Sequence, residues 1–257
     1  MNRNANELQS RLAAHLKELH LPTVRERFQD LAEKARQETM SYETYLLALM
    51  DEECTMRRHH RVERLLRASR IPREKTLDAL DLKRFGPKVA LQVRTLLEGS
   101  FADRRENVLA FGNPGSGKTH LLCAIGQELI QAGRRVYFTP CALLVQELLR
   151  AKQELKLDRF IKRLAKYDVL IIDDIGYVQH DRGEMEVLFT LLAERYERGS
   201  ILLTSNLPFS QWERIFKDPM TTAAAIDRLI HHSVILELNI ASYRMEQAKK
   251  RKKETPP

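Results

Sequence analysis

Apolar residues recur at helical spacing through the first hundred residues. Four leucines follow one another at intervals of three and four: Leu8, Leu12, Leu16 and Leu19. Pro22 ends that run, and the pattern predicts a second helix over 23–38 and a third that begins after Ser41 and continues to Pro72. Six apolar positions predict one buried face on the third helix: Tyr45, Leu46, Leu49, Val62, Leu65 and Leu66.

The pattern changes near residue 105. From there on, helical stretches separate five short apolar runs, at 107–111, 135–139, 168–172, 200–204 and 233–237. This alternation is typical of a parallel sheet with right-handed crossover helices. The sequence therefore predicts an α/β fold, a three-layer sandwich around a five-stranded parallel sheet, preceded by a small all-α N-terminal domain.

Gly86-Pro87 and Gly99 are the candidate breaks between the two halves. We predict a helical domain over 1–99, an α/β domain over 100–240 and a basic tail over 241–257. No apolar run approaches the roughly 18 residues of a membrane span, and the polar start is unlike a signal peptide. Three distant cysteines without a CxxC spacing favour a reducing cytoplasm over a disulfide framework or a thiolate zinc site.

The net charge of +8 is unevenly distributed along the 257 residues. Residues 57–75 carry eight basic and two acidic side chains, residues 150–166 carry seven and two, and residues 243–253 carry six and one. Any one of these runs could be a solvated helix face. Three of them on an otherwise acidic chain indicate a nucleic acid partner, and no strongly apolar face accompanies them as a membrane surface would require.

A glycine-rich segment with the spacing GxxxxGK[ST] directly follows the first predicted strand. It comprises Gly112, Asn113, Pro114, Gly115, Ser116, Gly117, Lys118 and Thr119, with His120 next in the chain. Glycines let backbone N–H groups turn toward a β-phosphate, the lysine reaches the β- and γ-phosphates, and the threonine hydroxyl is a Mg²⁺ ligand. A chance glycine turn is the alternative, and the strand before and the helix after argue against it.

Polar residues end the third and fourth predicted strands. We expect Asp173 to hold Mg²⁺ at the tip of a strand beside the first one, and Asp174 to orient and deprotonate the attacking water. We expect Asn206 to lie between the glycine loop and these acids, where it would contact the γ-phosphate or position the water. Two acids capping a turn, and an Asn-Leu-Pro turn without chemistry, are the alternatives.

Arg228 follows Asp227 on the predicted helix before the fifth strand. From there it could reach the γ-phosphate of a neighbouring subunit, although an ordinary surface or salt-bridged arginine is the alternative. The pairs His59-His60 and His231-His232 raise the question of a metal. Adjacent helical residues point about 100° apart, and no acid or cysteine completes a ligand set in sequence, so we expect no metal there.

Together these motifs resemble the AAA+ branch of the P-loop ATPases, with Walker A at 112–119, Walker B at 169–174 and sensor 1 at Asn206. Several segments are similar to the IstB family, the ATP-binding helper proteins of insertion-sequence transposons, which are related to the DnaC helicase loaders. These segments are YLLALMDEE, NPGSGKTHLLCAIG, DVLIIDDIGY, AAAIDRLIHHS, SYRM and the most specific stretch, 189–219. The resemblance spans nearly the whole chain.

The resemblance implies an ATP- and Mg²⁺-dependent, DNA-binding homo-oligomer that prepares duplex target DNA and recruits or stimulates a transposase. It implies Walker A roles for Lys118 and Thr119, the Mg²⁺ role for Asp173, and a finger role for Arg228 in the motif DRL. Asp174 stands where many members have glutamate. Few residues follow the fifth strand, so Arg244 is the one nearby substitute for an arginine on a C-terminal lid.

The initiator and loader relatives place extra helices facing DNA after the second strand, where segment 150–166 lies. The phosphate contacts expected on this basis and in the first basic run are Lys152, Lys156, Arg159, Lys162, Arg163 and Lys166, with Arg58, Arg61 and Arg64. The alternatives are a DnaC-like replicative helicase loader and a nucleotide-gated adaptor that barely hydrolyses ATP. A GTPase is disfavoured because the sequence lacks an NKxD guanine-binding motif.

Overall fold

A computed structural model describes residues 2–176, 182–216, 218–240 and 242–243. Most of the predicted basic tail, including Arg244, lies outside the described residues. The chain divides into two compact units, residues 1–64 and 65–257. Residues 65–99, which the sequence-based boundary joins to the helical domain, belong here to the second unit. Within that unit, Ile71 packs against Gly126. A Cβ added to Gly126 would lie 2.9 Å from Cδ1 of Ile71.

Helices form the first unit. They are α1 (Asn2–Glu18), α2 (Pro22–Gln37) and α3 (Tyr42–Ser69), which continues into the second unit. Pro22 occupies the first turn of α2, where its missing N–H has no helical partner to lose. Leu16, Val24 and Leu49 form the core. Leu46 is 57% exposed, so its predicted burial is wrong, because it is turned about 100° from the half-buried Tyr45.

The second unit is built on a parallel sheet. Its strands are β1 (Asn107–Phe111), β2 (Val136–Pro140), β3 (Val169–Asp173), β4 (Ser200–Ser205) and β5 (Ser233–Glu237). The five predicted strands are confirmed, each within one residue of its bounds, in the order β2-β3-β4-β1-β5. The expectation that Asp173 ends a strand beside β1 is wrong, because the chain after β3 returns to form β4 between them.

Helices cover both faces of this sheet. They are α4 (Pro87–Leu97), α5 (Ser100–Asp103), α6 (Lys118–Gln131), α7 (Cys141–Gln153), α8 (Leu157–Leu164), α9 (Arg182–Arg195), α10 (Glu213–Phe216) and α11 (Pro219–Ile230), with 3₁₀ turns at Leu82–Arg84 and Phe209–Gln211. Helices α4 and α6 pack on one face, and α7, α9 and α11 on the other. All three cysteines are free. No helix of the described ranges is long and apolar enough to cross a membrane.

Arg195, at the end of α9, is a buried residue whose hydrogen bonds connect several elements. It is 3% exposed. Its guanidinium donates hydrogen bonds of 3.0–3.2 Å to four carbonyl oxygens, those of Leu164, Tyr167, Asp168 and Ser200. Desolvation by burial lowers the pKa of Arg195 to about 10, so the side chain remains charged at neutral pH. The start of β4 and the connection from α8 to β3 are therefore fastened to α9.

We expect Arg195→Met to lower the free energy of unfolding by about 3 kcal/mol, because it leaves buried carbonyl oxygens without their donor. Urea unfolding at neutral pH measures the loss. Arg198→Met is the control, since Arg198 is exposed and its ion pair among the described residues is with Glu194, and we expect a change below about 0.5 kcal/mol. Equal losses in the two variants would contradict this account.

Candidate nucleotide site

The loop between β1 and α6 requires glycine at the predicted positions. Gly115 and Gly117 have φ angles of +81° and +92°, in the left-handed region that glycine favours. A Cβ on Gly115 would lie 2.2 Å from Oγ of Ser242, and one on Gly112 would lie 2.5 Å from the carbonyl oxygen of Leu238. The loop is therefore tightly wrapped against the segment that follows β5.

Lys118 is the first residue of α6, and its side chain points into this loop. It is 5% exposed. Its Nζ donates hydrogen bonds to the carbonyl oxygens of Gly112 at 2.8 Å and Asn113 at 3.0 Å. The Oγ of Ser116 is buried without a hydrogen bond to any described residue. The ammonium group of Lys118 and the N-terminal end of the 14-residue helix α6 thus meet at one loop. This is the arrangement that binds phosphate.

A cluster of oxygen atoms joins three elements beside the loop. The carboxylate Oδ1 of Asp173 accepts hydrogen bonds from Oγ1 of Thr119 at 2.8 Å and Oγ1 of Thr204 at 2.7 Å. Strand β4 separates β1 from β3, and Thr204 on β4 bridges the gap. A hydroxyl and a carboxylate are the oxygen donors that Mg²⁺ prefers, so Thr119 and Asp173 fit this ion.

Asp174 and Asn206 lie at the same edge of the sheet. Asp174 has a φ of +59°, and its backbone N–H donates to Oγ1 of Thr204 at 2.8 Å. The Oδ1 of Asn206 is buried and accepts no hydrogen bond from a described residue. A Cβ on Gly176 would lie 2.3 Å from that oxygen. Asn206 therefore presents an unsatisfied polar atom directly after β4, the strand between those that lead to the glycine loop and to the two acids.

A cavity of about 270 Å³ opens against the loop. Residues 114–120 and Asp174 form one side, whereas Gly112, Asn113 and Asp173, which the sequence also predicts for the site, are not among the described residues that line it. Asn206 and Arg228 are not among the described residues that line it. The opposite side includes residues that sequence reasoning missed: Lys75, Leu80, Arg84, Phe85, Ile240 and Tyr243.

Two contacts hold that opposite wall in place. The backbone N–H of Tyr243 donates to the carbonyl oxygen of Gly115 at 3.0 Å, and the guanidinium carbon of Arg84 lies 4.9 Å from the centroid of the Tyr243 ring. His120 of the loop side also contacts a residue next to Lys75, since its Nε2 is 2.9 Å from the carbonyl oxygen of Thr76. The cavity thus combines polar phosphate-binding groups with aromatic and aliphatic surface, as a nucleotide site requires.

Arg228 lies at the far edge of the sheet. The side-chain amide of Asn107, the first residue of β1, donates to the carbonyl oxygen of Leu229 at 3.1 Å. The guanidinium carbon of Arg228 is 4.9 Å from the centroid of the Phe189 ring, and Nη1 donates to the carbonyl oxygen of Ala224 at 2.9 Å. The glycine loop follows the other end of β1, about 16 Å away along a five-residue strand. The backbone of Arg228 therefore lies near the end of β1 that is opposite the glycine loop.

The basic side chains of segment 150–166 differ in their surroundings. Five of them are exposed, on the side of α8 opposite the buried Ile161 and Leu164 or directly beside the ends of the helix, and we call this group the α8 basic surface: Lys156, Arg159, Lys162, Arg163 and Lys166. Together with Arg150 they line an open depression of about 740 Å³.

Ion pairs neutralise part of the segment. Lys152 pairs with Glu186, Lys156 with Glu154 and Lys162 with Asp158, at 2.8–2.9 Å. Three side chains of the α8 basic surface form no ion pair with a described residue: Arg159, Arg163 and Lys166. The guanidinium of Arg163 lies 4.5 Å from the centroid of the Phe160 ring. In the first unit, Arg58, Arg61 and Arg64 are all exposed on α3.

The expectation that no acid completes a ligand set at His231-His232 is wrong. Glu197, distant in sequence, lies beside this pair, and the ligand atoms of the three residues are within 4.8 Å of one another. Helices α9 and α11 pack side by side, which brings the residues after their ends together. At His59-His60 the rings are 6.1 Å apart, and no third potential ligand among the described residues completes a group with them.

The parallel sheet order, the glycine loop and the acids at the end of β3 define a P-loop ATP-binding protein of the AAA+ class. The chain belongs to the family of the IstB-like ATP binding protein, whose sequence model matches residues 14–252. The resemblance drawn from the motifs is therefore confirmed.

The sequences of related proteins align with nearly the full length of the chain. An insertion-sequence ATP-binding protein of Sinorhizobium fredii is 42% identical over 246 residues, covering 95% of this chain and 83% of the relative. One from Geobacillus stearothermophilus is 38% identical over 240 residues, covering 93% and 96%. Among solved structures, AMPPCP-bound DnaA from Aquifex aeolicus matches with a TM-score of 0.57 and 19% identity over 72% of this chain and 57% of that one, which shows the fold.

Proposed function

We propose that this chain is an ATP-dependent DNA-binding helper ATPase of transposition. It assembles as a homo-oligomer on duplex target DNA in the cytoplasm and recruits or stimulates a transposase. The observation that carries the proposal is the contact of Thr119 and Asp173 beside the loop that holds Lys118. The relatives, which are named as insertion-sequence ATP-binding proteins, support the transposition context.

Residues in the cavity and beside it have separate roles in ATP hydrolysis. The loop N–H groups and Lys118 bind the phosphates, and Thr119 and Asp173 hold Mg²⁺, which when bound offsets the negative charge of the phosphates. Asp174 orients the attacking water and accepts its proton. Asn206, with its buried amide oxygen, positions this water or contacts the γ-phosphate. Residues 80–85 and Tyr243 enclose the rest of the nucleotide.

Hydrolysis depends on a neighbouring subunit. Arg228 lies about one strand length from the loop of its own chain. Its contact with Phe189 holds the guanidinium at the surface of the unit, where it acts on a nucleotide bound by the next subunit. Assembly on DNA therefore completes the site, and ATP turnover is slow until the subunits are in register.

DNA binds through its phosphates. The α8 basic surface presents Arg159 and Lys166 without a described ion-pair partner, so their charges are available to a polyanion. Neighbouring lysines exchange a carboxylate partner for phosphate, and the arginines of α3 add contacts from the first unit. Contacts of this kind position the protein without reading base sequence.

DNA binding with ATP, ADP or no nucleotide, on matched single- and double-stranded oligomers, tests this function. We expect ATP-dependent binding that favours duplex DNA and produces large assemblies. A preference for single strands would replace the transposition role by that of a DnaC-like helicase loader. Failure to bind either DNA would overturn the DNA-dependent part and leave an ATP-binding protein.

The α8 basic surface has its own prediction. Arg159→Ala combined with Lys166→Ala should weaken duplex binding uniformly across sequences and reduce the slope of log affinity against log salt by about 2, one unit for each lost phosphate contact. Fluorescence anisotropy over a salt series measures both effects. Arg134→Ala with Arg135→Ala removes the same charge from two ion-paired arginines as a control. An equal change in the control would contradict the assignment.

A further inference from the structure

Three potential metal ligands meet at the edge of the sheet opposite the nucleotide cavity. Glu197 lies just after α9, and His231 and His232 lie just after α11. All three side chains are exposed, and their ligand atoms are within 4.8 Å of one another. The backbone N–H of Asn107, at the start of β1, donates to the carbonyl oxygen of His232 at 2.9 Å. The cluster is therefore fastened to the sheet as well as to two helices.

The backbone directs these side chains toward one point. Glu197 and His232 both have a φ of +57°, in the left-handed region. His231 leaves the helix with a ψ of 117°. As a result the two imidazole rings are 4.0 Å apart between centroids, instead of diverging as adjacent residues do within a helix.

One imidazole already has an orienting partner. The hydroxyl oxygen of Tyr196 is 2.7 Å from Nδ1 of His231, and their rings are 5.7 Å apart between centroids. A metal-binding histidine commonly uses its second ring nitrogen in such a hydrogen bond, which fixes the tautomer and the ring orientation. With Nδ1 engaged by the tyrosine, Nε2 of His231 is the nitrogen that remains for a metal.

Several charged residues surround the cluster. The guanidinium of Arg105 donates to the backbone carbonyl oxygen of Glu197 at 2.6 Å rather than to its carboxylate. Arg104 pairs with Glu106 through two hydrogen bonds of 2.8 Å. The hydrogen bonds from Arg104 do most to lower the pKa of Glu106. Asp227 and Arg228 also place charges near Tyr196, one of each sign.

We propose that Glu197, His231 and His232 form a binding site for a divalent transition metal ion of the zinc type. Two imidazole nitrogens and one carboxylate oxygen are a donor set that zinc takes with a fourth, solvent-derived ligand. Such an ion joins the end of α9 to the end of α11, the two helices that bring Phe189 and Arg228 into contact. The site stands independently of the proposed ATPase and DNA-binding function.

Isothermal titration of Zn²⁺ into the tag-free, chelator-treated full chain tests the site. We expect one zinc ion per chain, with affinity lowered at least about tenfold by Glu197→Gln and by His232→Asn. Asparagine is chosen because it tolerates a positive φ. Tyr196→Phe, which removes only the orienting hydroxyl, should weaken binding about tenfold while all three ligands remain.

His59→Gln combined with His60→Gln is the matched control, since it removes the other adjacent histidine pair. We expect zinc affinity to be unchanged in this variant, and thermal melting to show that every variant is folded. Absence of zinc binding by the unaltered chain would overturn the proposal. So would unaltered affinity in Glu197→Gln and His232→Asn, or a loss that follows His59 and His60 instead.

Discussion

Arg228→Ala is expected to lower ATP turnover about 10³-fold or more while leaving ATP affinity unchanged. An arginine supplied to the transferred phosphoryl group contributes a factor of about 10³ to 10⁵ to this chemistry. Because Arg228 lies at the opposite edge of the sheet from its own glycine loop, its loss removes charge stabilisation from a neighbouring site and no contact from its own. Phosphate release in the presence of duplex DNA measures turnover, and fluorescent ATP titration measures affinity.

A mixing experiment distinguishes action between subunits from action within one. Arg228→Ala chains keep an intact loop, and Lys118→Ala chains keep an intact Arg228. Mixed assemblies therefore contain some interfaces with both groups, and we expect turnover to rise above that of either variant alone. Asp227→Ala, which changes the exposed neighbour, is the control and should retain turnover. Absence of recovery on mixing, or weaker ATP binding by Arg228→Ala, would contradict the proposed role.

Lys118→Ala is expected to reduce ATP turnover at least about 10²-fold, the loss typical when a preorganised charge-stabilising group is removed. The ammonium group is buried and hydrogen-bonded to the loop carbonyl oxygens, so it is already held where the phosphates bind. ATP should raise the melting temperature of the unaltered chain, since a ligand stabilises the state that binds it. That rise should vanish in the variant, together with ATP-dependent DNA binding.

Lys88→Ala provides the comparison for loss of one positive charge, since Lys88 is exposed at the start of α4. This variant should melt, bind ATP and hydrolyse it as the unaltered chain does. If ATP raised the melting temperature of Lys118→Ala as much as that of the unaltered chain, the assignment of the phosphate site would fail.

The local parts of the fold and site follow from the sequence because their signals are contiguous. Each strand is an apolar run bounded by polar residues, and the glycine loop is a single eight-residue segment whose spacing fits one backbone geometry. The acids at 173 and 174 could be found in the same way, since one ends a strand and the other directly follows it. These features depend on neighbours along the chain and not on how distant segments pair.

Features that depend on strand order or on distant contacts could not be predicted. The bridging role of Thr204 requires β4 to lie between β1 and β3, which no local pattern encodes. Residues 75–85 and Tyr243 line the same cavity although they are near opposite ends of the sequence of the second unit. The first belong to a largely irregular segment, and Tyr243 is held by a backbone hydrogen bond to Gly115. Glu197 meets the histidines only because α9 and α11 end at the same edge.

The hydrogen bond from Tyr243 to Gly115 joins the end of the described chain to the phosphate loop. Any displacement of Gly115 is consequently passed on to Tyr243 and to the guanidinium of Arg84, which lies over the Tyr243 ring. A change at the phosphate loop therefore also changes the segment that contains Arg84, on the other side of the cavity.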